Sequence, residues 1–414
     1  MRKTLAWILA AGCVVGSYAT DARVAIMGRD DAFYRDVHNV FKNPASIGFY
    51  PNVAYGSYGV YIPRANEVGS TSGITRFNRD PDKPFFGAIV SNRPEEGGKT
   101  VSFGAVFNRY DRMKNYILPI YPEVLSAILP DTAHTIDIKP PLGKVDLMGS
   151  MTTAGGMTIG LGAYFAHQKI TDEKNNVDYQ SGIYKGTFGL VAPVAEDMDF
   201  EASVNYGLLT AKGLYSVGNT NNIDTLGLTI ADRDWFGSID LRLFSGVPAL
   251  NATFVPQASF QMVNLHDGET RLIDVNAGLG LNLNIDRGFF FAGIQGLYSD
   301  YNWVNSSDLA EQSIGGRVSF GVERNLVWDW FVIRVGGQKI LKYATQGKNV
   351  GQWIENPESD ASDQDLVGLG FGLNIENRLR IDVVAAEDIV YTFTNLFSGP
   401  QHHLFKRVSA TYSF

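Results

Sequence analysis

The residues from His403 to Phe414 alternate between apolar and polar side chains. One face would carry Val408, Ala410, Tyr412 and Phe414, and the other Arg407, Ser409, Thr411 and Ser413. A period of two residues is typical of a β-strand with one apolar and one polar face. We therefore predict a strand here, ending on an aromatic residue of its apolar face.

The same alternation recurs from Asn52 onward in about sixteen segments. They are Asn52–Tyr61, Phe85–Ser91, Val101–Arg109, Lys144–Thr152, Met157–His167, Ile183–Ala192, Asp199–Leu209, Asp234–Phe244, Asn251–Val263, Arg271–Ile285, Gly288–Tyr301, Glu311–Glu323, Trp330–Lys342, Leu366–Ile375, Leu379–Tyr391 and His403–Phe414. Short links such as Ala154–Gly156 and Glu376–Arg378 alternate with long ones, namely Asp111–Leu142, Gly213–Ala231 and Ala344–Asp365. Such a pattern favours an all-β fold, a closed antiparallel transmembrane β-barrel, over a soluble sandwich.

The composition agrees with a barrel and disfavours two other classes of protein. The chain of 414 residues has 44 glycines and 12% aromatic residues, a mixture common on barrel strands. After the amino terminus, no apolar run approaches the ~18 residues that a membrane helix needs. The formal net charge of −8 disfavours nucleic acid as a partner.

Residues 1–19 have the pattern of a signal peptide. A basic start at Arg2 and Lys3 precedes an apolar core from Leu5 to Val15, and small residues precede a cleavage site after Ala19. Cys13 is the only cysteine and lies within this leader, so the mature chain would form no disulfide. Lipidation at Cys13 is the alternative.

The stretch from Asp30 to Lys42 has apolar residues at helical spacing. Phe33, Val37 and Val40 predict a short helix, capped by Asp30 and ended by Asn43-Pro44. So short a helix needs a surface to pack against, and the barrel interior offers one. We therefore divide the mature chain into an amino-terminal segment, residues 20–51, inside a barrel of residues 52–414.

The residues around this stretch resemble a known family. The run Ala22-Arg23, Met27-Gly28, Asp36, Asn39 and Phe41 to Ala45 resembles the amino-terminal hatch of FadL-like channels, and the likeness covers residues 22–61. That family includes long-chain fatty-acid transporters and the shuttle barrel of type IX secretion. The resemblance implies fourteen strands, passage of hydrophobic molecules, and a gate that includes Met27, Gly28, Asn43, Pro44 and Ala45.

The carboxyl-terminal pattern also resembles the closing strand that the outer-membrane assembly machinery of Gram-negative bacteria recognises. These resemblances imply a location in the outer membrane, with membrane lipid and the assembly machinery as partners. Hydrophobic small molecules or a surface protein would be further partners.

Parity along the strands places eleven charged side chains inside the barrel. They are Asp146, Glu201, Asp240, Arg242, Asp274, Arg317, Glu323, Arg334, Arg380, Asp382 and Arg407. The matched signs favour pairing with one another and with segment residues such as Arg23, Arg29, Asp30, Asp31 and Arg35. The alternative is a water-filled lumen in which these charges set ion preference.

Glycines also fall on inward faces. They are Gly160, Gly162, Gly278, Gly280, Gly368, Gly370 and Gly372. Strand glycine often marks a close approach of another backbone, here that of the amino-terminal segment. It can also relieve the bending strain of barrel closure, and the sequence leaves both explanations open.

The link from Asp111 to Leu142 is unusually apolar for an external loop. The candidate ligand-binding residues there are Tyr116, Leu118, Tyr121, Leu125, Ile128 and Leu129. An apolar external segment either buries itself or binds apolar molecules. The loop is thus either a lid over the barrel mouth or an entry site for amphipathic ligands.

No catalytic site, metal site or cofactor is predicted. The six histidines form no recognisable catalytic arrangement, and the acidic link Glu355–Asp365 lacks the glycine-centred spacing of a calcium loop. The sequence therefore favours a non-enzymatic outer-membrane channel for small hydrophobic molecules, gated by the hatch. The alternative is an anchoring or scaffolding barrel that binds protein partners.

Overall fold

A computed structural model of the chain describes residues 21–28, 31–59, 84–92, 99–109, 111, 113, 133–137, 141–172, 177–219, 222–265, 268–302, 311–326, 328–346, 351–355, 367–385 and 405–414. The predicted signal peptide with Cys13, and the candidate ligand residues between Tyr116 and Leu129, lie outside these ranges.

Within these described ranges, eighteen strands form one antiparallel sheet. They are β1 Val53–Gly59, β2 Phe85–Ser91, β3 Thr100–Phe107, β4 Ala133–Asp137, β5 Gly143–Thr152, β6 Thr158–Asp172, β7 Val177–Ala195, β8 Met198–Asn219, β9 Asn222–Val247, β10 Ala252–Leu265, β11 Thr270–Ile285, β12 Gly288–Asn302, β13 Glu311–Asn325, β14 Phe331–Gln346, β15 Gln352–Glu355, β16 Val367–Ile375, β17 Leu379–Ala385 and β18 Phe405–Ser413. Strand β1 pairs with both β2 and β18, so the sheet closes into a barrel.

Sixteen of these strands form the wall. Among the described residues, β4 pairs only with β8, at residues 214–217, and β15 pairs only with β14, at residues 341–344, which leaves 18 − 2 = 16 strands around the circumference. The closed antiparallel barrel is confirmed. Its sixteen strands match the count from alternation and exceed by two the fourteen that the resemblance implies.

The two faces of the wall differ as the alternation predicts. Large apolar side chains such as Leu161, Leu279, Ile294 and Ile314 are 58–66% exposed on the outer face. The charged residues alternate with them on the inner face, where Glu201, Arg334 and Asp382 are buried. No helix among the described residues is long and apolar enough to cross a membrane.

The strands alternate between two kinds of connection. Tight turns such as Glu196-Asp197 and Asp286-Arg287 join strands at one end, called here the turn end. The opposite end, called the loop end, carries the longer connections.

The helix predicted over Asp30–Lys42 is wrong. Within the described residues, the amino-terminal segment has one α-helix, α1 Asp21–Ile26, and two 3₁₀ helices, η1 Val37–Phe41 and η2 Pro44–Phe49. Asp36 and Asn39 form a capping box that starts η1, and Asn43 caps η2 by accepting the Ala45 N–H. Asn43 therefore begins a second helical turn after η1 ends at Phe41.

The predicted loop Gly213–Ala231 is also wrong. Strands β8 and β9 stay paired from Met198↔Ser245 to Asn219↔Asn222 and form one long ribbon. The ribbon rises beyond its neighbours, because β10 pairs with β9 only as far as Asn264↔Trp235. The predicted loops Asp111–Leu142 and Ala344–Asp365 likewise contain the short strands β4 and β15.

Candidate functional site

The described residues of the amino-terminal segment, 21–28 and 31–50, lie inside the barrel. The Ala22 N–H donates to Ser409 Oγ of β18 (3.1 Å), and Asn43 Nδ2 donates to the Leu190 carbonyl of β7 (3.1 Å). Asn282 Nδ2 of β11 donates to the carbonyl of Phe33 at 2.6 Å. These strands lie on different sides of the wall, so the segment crosses the lumen, and most of its wall contacts lie towards the turn end.

Arg23 forms the most buried attachment. Its Nε and Nη2 donate to both carboxylate oxygens of Glu323 at 2.8 Å, and its Nη1 donates to Asp36 at 3.1 Å. The guanidinium also lies 5.1 Å from the centre of the Tyr34 ring. A bidentate pair of this kind fixes both the position and the orientation of the arginine.

Two wall arginines complete this cluster. Arg334 Nε lies 3.0 Å from Glu323 Oε2, and its Nη1 lies 2.6 Å from Asp382 Oδ1. Arg380 lies 3.4 Å from Glu323 and 3.3 Å from Asp382. The wall thus contributes two arginines and two carboxylates to this cluster, and the segment contributes Arg23 and Asp36.

Arg35 forms a second attachment, to β8, which lies five strands from β13 around the wall. It donates to Asp199 and to Glu201 at 2.8 Å each. Arg242 contacts the other oxygen of Glu201 at 2.6 Å and donates to the carbonyl of Asp31 at 3.0 Å. The segment is therefore held by charge pairs at two places on the wall.

A third cluster lies within the segment. Asp31 accepts from Lys42, from His38 Nδ1 (2.9 Å) and from Asn39 Nδ2 (3.0 Å). Burial alone would raise the pKa of Asp31, but Lys42 and His38 outweigh burial and hold the pKa well below its usual value. Burial raises the pKa of Asp36 to about 6, against the opposing effect of Arg23.

Several wall glycines accommodate the segment. A Cβ on Gly160 would lie 2.3 Å from Ala45 N, and a Cβ on Gly280 would lie 2.4 Å from the Phe33 ring. The segment also approaches Gly162, Gly368 and Gly370, whereas Gly278 and Gly372 approach groups of the wall. Close approach of the segment thus accounts for five of the seven predicted glycines.

The five predicted gate residues lie at these contacts. Pro44 and Ala45 pack against Gly160, and Asn43 reaches the wall at Leu190. Met27 packs beside Phe291, and Gly28 has φ +71°, where an added Cβ would lie 2.9 Å from the Gly337 carbonyl oxygen. Their role as a gate remains a prediction.

One side of the segment packs through apolar contacts. Val37, Val40, Ile47 and Tyr50 meet side chains from β1, β2, β3 and β5, and we call this contact the apolar seam; the wall residues are Val53, Tyr55, Ile89, Val106 and Met148. A cleft of about 10 Å³ beside it is lined in part by Phe41, Pro44 and Tyr164. That volume holds about one water molecule, so this cleft is too small for a hydrophobic solute.

Towards the loop end, a smaller cluster extends from the seam. Arg109 forms a bidentate pair with Asp146 (2.7 and 2.8 Å), and Asp111 contacts both Arg109 (3.2 Å) and Lys185 (2.5 Å). The sequence analysis predicted Asp146 but missed Arg109 and Lys185. The available signal was their inward parity: Lys185 lies at an inward position of β7, and Arg109 lies at an inward position just after β3.

The remaining predicted lumen charges lie nearer the loop end or at β18. Asp274 accepts from Ser299 and Tyr301, Asp240 lies 3.4 Å from Ser238 Oγ, and Arg407 lies 3.9 Å from Asp21. Arg317 on β13 faces Gln295 on β12 in the strand register. All eleven residues lie on the inner face of the wall, and their pairing is extensive. Arg29 and Asp30, which were predicted as partners from the segment, fall outside the described ranges.

Metal ligation has no candidate in the described part of the chain, where no three His, Cys, Asp or Glu side chains come together. His167 lies on the outer face, where its Nδ1 is 2.7 Å from the Tyr184 hydroxyl.

Comparison with known proteins gives no match to a family model and no match among curated sequences. Among solved structures, the toluene transporter TodX of P. putida has 10% identity and a TM-score of 0.34, covering 96% of this chain and 95% of TodX. A Pseudomonas aeruginosa FadL homologue has 12% identity and a TM-score of 0.38, covering 96% and 98%.

CdiB from Escherichia coli has 8% identity and a TM-score of 0.40, covering 88% of this chain and 63% of CdiB. The FadL homologue bears the name of the family that residues 22–61 resemble. Because the identities and scores are low, the barrel assignment rests on the strand pairing of this chain.

Proposed function

We propose that this protein is an outer-membrane channel through which small hydrophobic molecules pass, with the amino-terminal segment as its gate. The observation that carries the proposal is the asymmetric attachment of the segment inside a closed barrel. Charge pairs at Glu323 and Glu201 hold two sides, whereas the seam beside β1 to β5 is apolar.

The asymmetry suggests a route for the cargo. Apolar contacts are non-directional, so a hydrophobic molecule can replace them at little cost, whereas separating a buried ion pair costs several kcal/mol. We therefore expect the cargo to enter between the segment and β1 to β5 while the arginine attachments stay in place. Because the cleft beside the seam is this small, we expect the segment to move before cargo passes.

A disulfide lock tests this gate. Cys13 is the only cysteine and lies in the predicted leader, so the mature chain gives a clean background. Val40→Cys with Met148→Cys, two residues of the seam, should cross-link the segment to the wall. Oxidation should stop uptake of a neutral fluorescent hydrophobic probe into proteoliposomes, and reduction should restore it.

A deletion complements the lock. Intact protein should show low conductance in planar bilayers, and removing Asp21 to Asn39 should give large, steady channels. Large conductance from the intact protein, or uptake that persists when the cross-link is complete, would contradict gating by the segment.

A second function is favoured by the β8–β9 ribbon. Residues 222–234 of β9 continue beyond the end of β10 for roughly 40 Å of strand, so the ribbon extends far past the length needed to span a membrane. Such a projection suits the alternative, a scaffold that binds a surface protein. Shortening the ribbon should then abolish co-purification of a stoichiometric protein while leaving probe uptake unchanged.

A further inference from the structure

The outer face of β6 to β9 changes from apolar to aromatic side chains towards the loop end. Leu161 of β6 is 66% exposed in the apolar part of this face. Nearer the loop end, Phe165 lies opposite Tyr184 with their ring centres 5.3 Å apart, and Tyr206 stacks on Trp235 at 6.2 Å. An apolar band bordered by aromatic rings is the pattern of a barrel wall in contact with lipid.

A row of polar side chains follows on the same face. The ladders align Lys169 of β6 with Gln180 of β7, and Gln180 with Lys212 of β8, all at outward positions. Lys169 lies 169 − 159 = 10 residues beyond Ile159, the first outward residue of β6. Ten residues span ~33 Å of strand and, at a tilt of ~40°, ~25 Å along the membrane normal. Because the apolar band of such a barrel is also ~25 Å tall, the row lies at the level of the lipid headgroups.

The two lysines of this row can contact one anion. Lys169 is exposed and makes no ion pair within the part of the chain that the structure describes. Lys212 contacts Asp232 at 2.8 Å, but so exposed a pair is weak and can open for a stronger anion. At ~4.8 Å per strand, the two Cα atoms lie roughly 10 Å apart with Gln180 between them. Both ammonium groups can therefore approach an anion above Gln180, whose amide can also donate to it.

We propose that Lys169, Gln180 and Lys212 bind the phosphate group of a lipid in the membrane leaflet at the loop end. The acyl chains of the same lipid cover the apolar band beside Leu161. A lipid thus satisfies both levels of the wall at once, whereas a free phosphate would meet the lysines alone. The site lies on the outer face, so it depends on neither the gate nor the cargo proposed above.

Native mass spectrometry of the full chain in detergent tests the site with dioleoyl phosphatidic acid and dioleoylglycerol, which differ only in the phosphate. Phosphatidic acid should bind more tightly. Lys169→Met should weaken its binding by about fivefold, the effect of one lysine near a lipid surface. Asp232→Asn frees Lys212 from its acidic partner and should leave the binding unchanged or strengthen it.

Lys339→Met is the matched control, because Lys339 is also exposed on the outer face but lies opposite the apolar Val318. Equal affinity for the two lipids, or equal weakening in Lys169→Met and Lys339→Met, would overturn the assignment. Displacement of phosphatidic acid by an equal concentration of inorganic phosphate would show that the row binds the free anion, and would overturn it too. Heat-dependent gel migration verifies that each variant is folded.

Discussion

Replacing Arg23 should free the first helix of the segment without unfolding the barrel. Arg23 is 1% exposed and makes three charge-assisted hydrogen bonds, two to Glu323 and one to Asp36. Methionine keeps most of the volume of arginine but none of its donors. In Arg23→Met, Asp36 loses its arginine, while Glu323 keeps Arg334 and Arg380.

Breaking a buried pair by removing one partner costs about 3–5 kcal/mol when the other charge is left alone. Because Glu323 keeps two arginines, we take the lower limit, about 3 kcal/mol. At ~1.4 kcal/mol per factor of ten, the detached state should become about a hundredfold more populated. The wall strands should be unaffected, since their ladders do not involve residue 23.

Hydrogen exchange followed by mass spectrometry measures the population of the detached state directly. Peptides covering residues 21–28 should exchange about a hundredfold faster in Arg23→Met, and peptides from β11 to β13 should not change. The matched control is Arg287→Met, because the exposed pair of Arg287 with Asp329 (3.9 Å) is worth ~0–1 kcal/mol. Unchanged exchange at residues 21–28 would refute the assignment of Arg23 as a main attachment.

Three further predictions follow from the same contacts. Gly160→Ala should displace the segment and raise conductance, because the added Cβ would lie 2.3 Å from a backbone atom of the segment. Gly186→Ala is the control and should behave as wild type, because nothing lies within 4 Å of its added Cβ. Equal conductance of the two variants would contradict the packing of the segment against Gly160. Asp36 has a pKa raised to about 6, so its contribution to segment stability should be full below the unfolded pKa of ~3.8 and lost as pH rises through 6. The melting temperature of the wild type should therefore fall between pH 5 and 7, and that of Asp36→Asn should not show this fall. Removing Phe414, whose N–H donates to the Asn52 carbonyl at 3.0 Å, should leave processed but unassembled protein, and normal levels of heat-modifiable barrel would show that it is dispensable.

The wall was predictable because alternation is a local signal that burial imposes on every strand. Strands such as Phe85–Ser91 lie where the pattern placed them. The ribbon was missed because Gly213, Gly218 and the asparagines near residue 220 have the composition of a loop, whereas pairing between β8 and β9 overrides local propensity. The helix over Asp30–Lys42 failed similarly, since Asp36 caps a later start.

The lumen was only partly predictable. Parity placed the eleven charges inward, because a charge facing lipid at the midplane costs ~2–4 kcal/mol. Their partners were not predictable, since Arg23 and Glu323 lie 300 residues apart and no local pattern encodes such a pairing. The asymmetry between charged attachments and the apolar seam likewise appears only in three dimensions.

The ladder between β1 and β18 has a consequence for the order of assembly. Its seven residue pairs join Val53 to Ser413, a separation of 413 − 53 = 360 residues. Closing a flexible loop of that length costs about 5 kcal/mol of chain entropy, so this ladder forms late unless neighbouring strands are already in place. The Ala22 N–H donates to Ser409 of the same strand β18. The first helix contacts β14, β16, β17 and β18, which are consecutive in the sheet, so its contacts with the wall can form before the β1–β18 ladder closes.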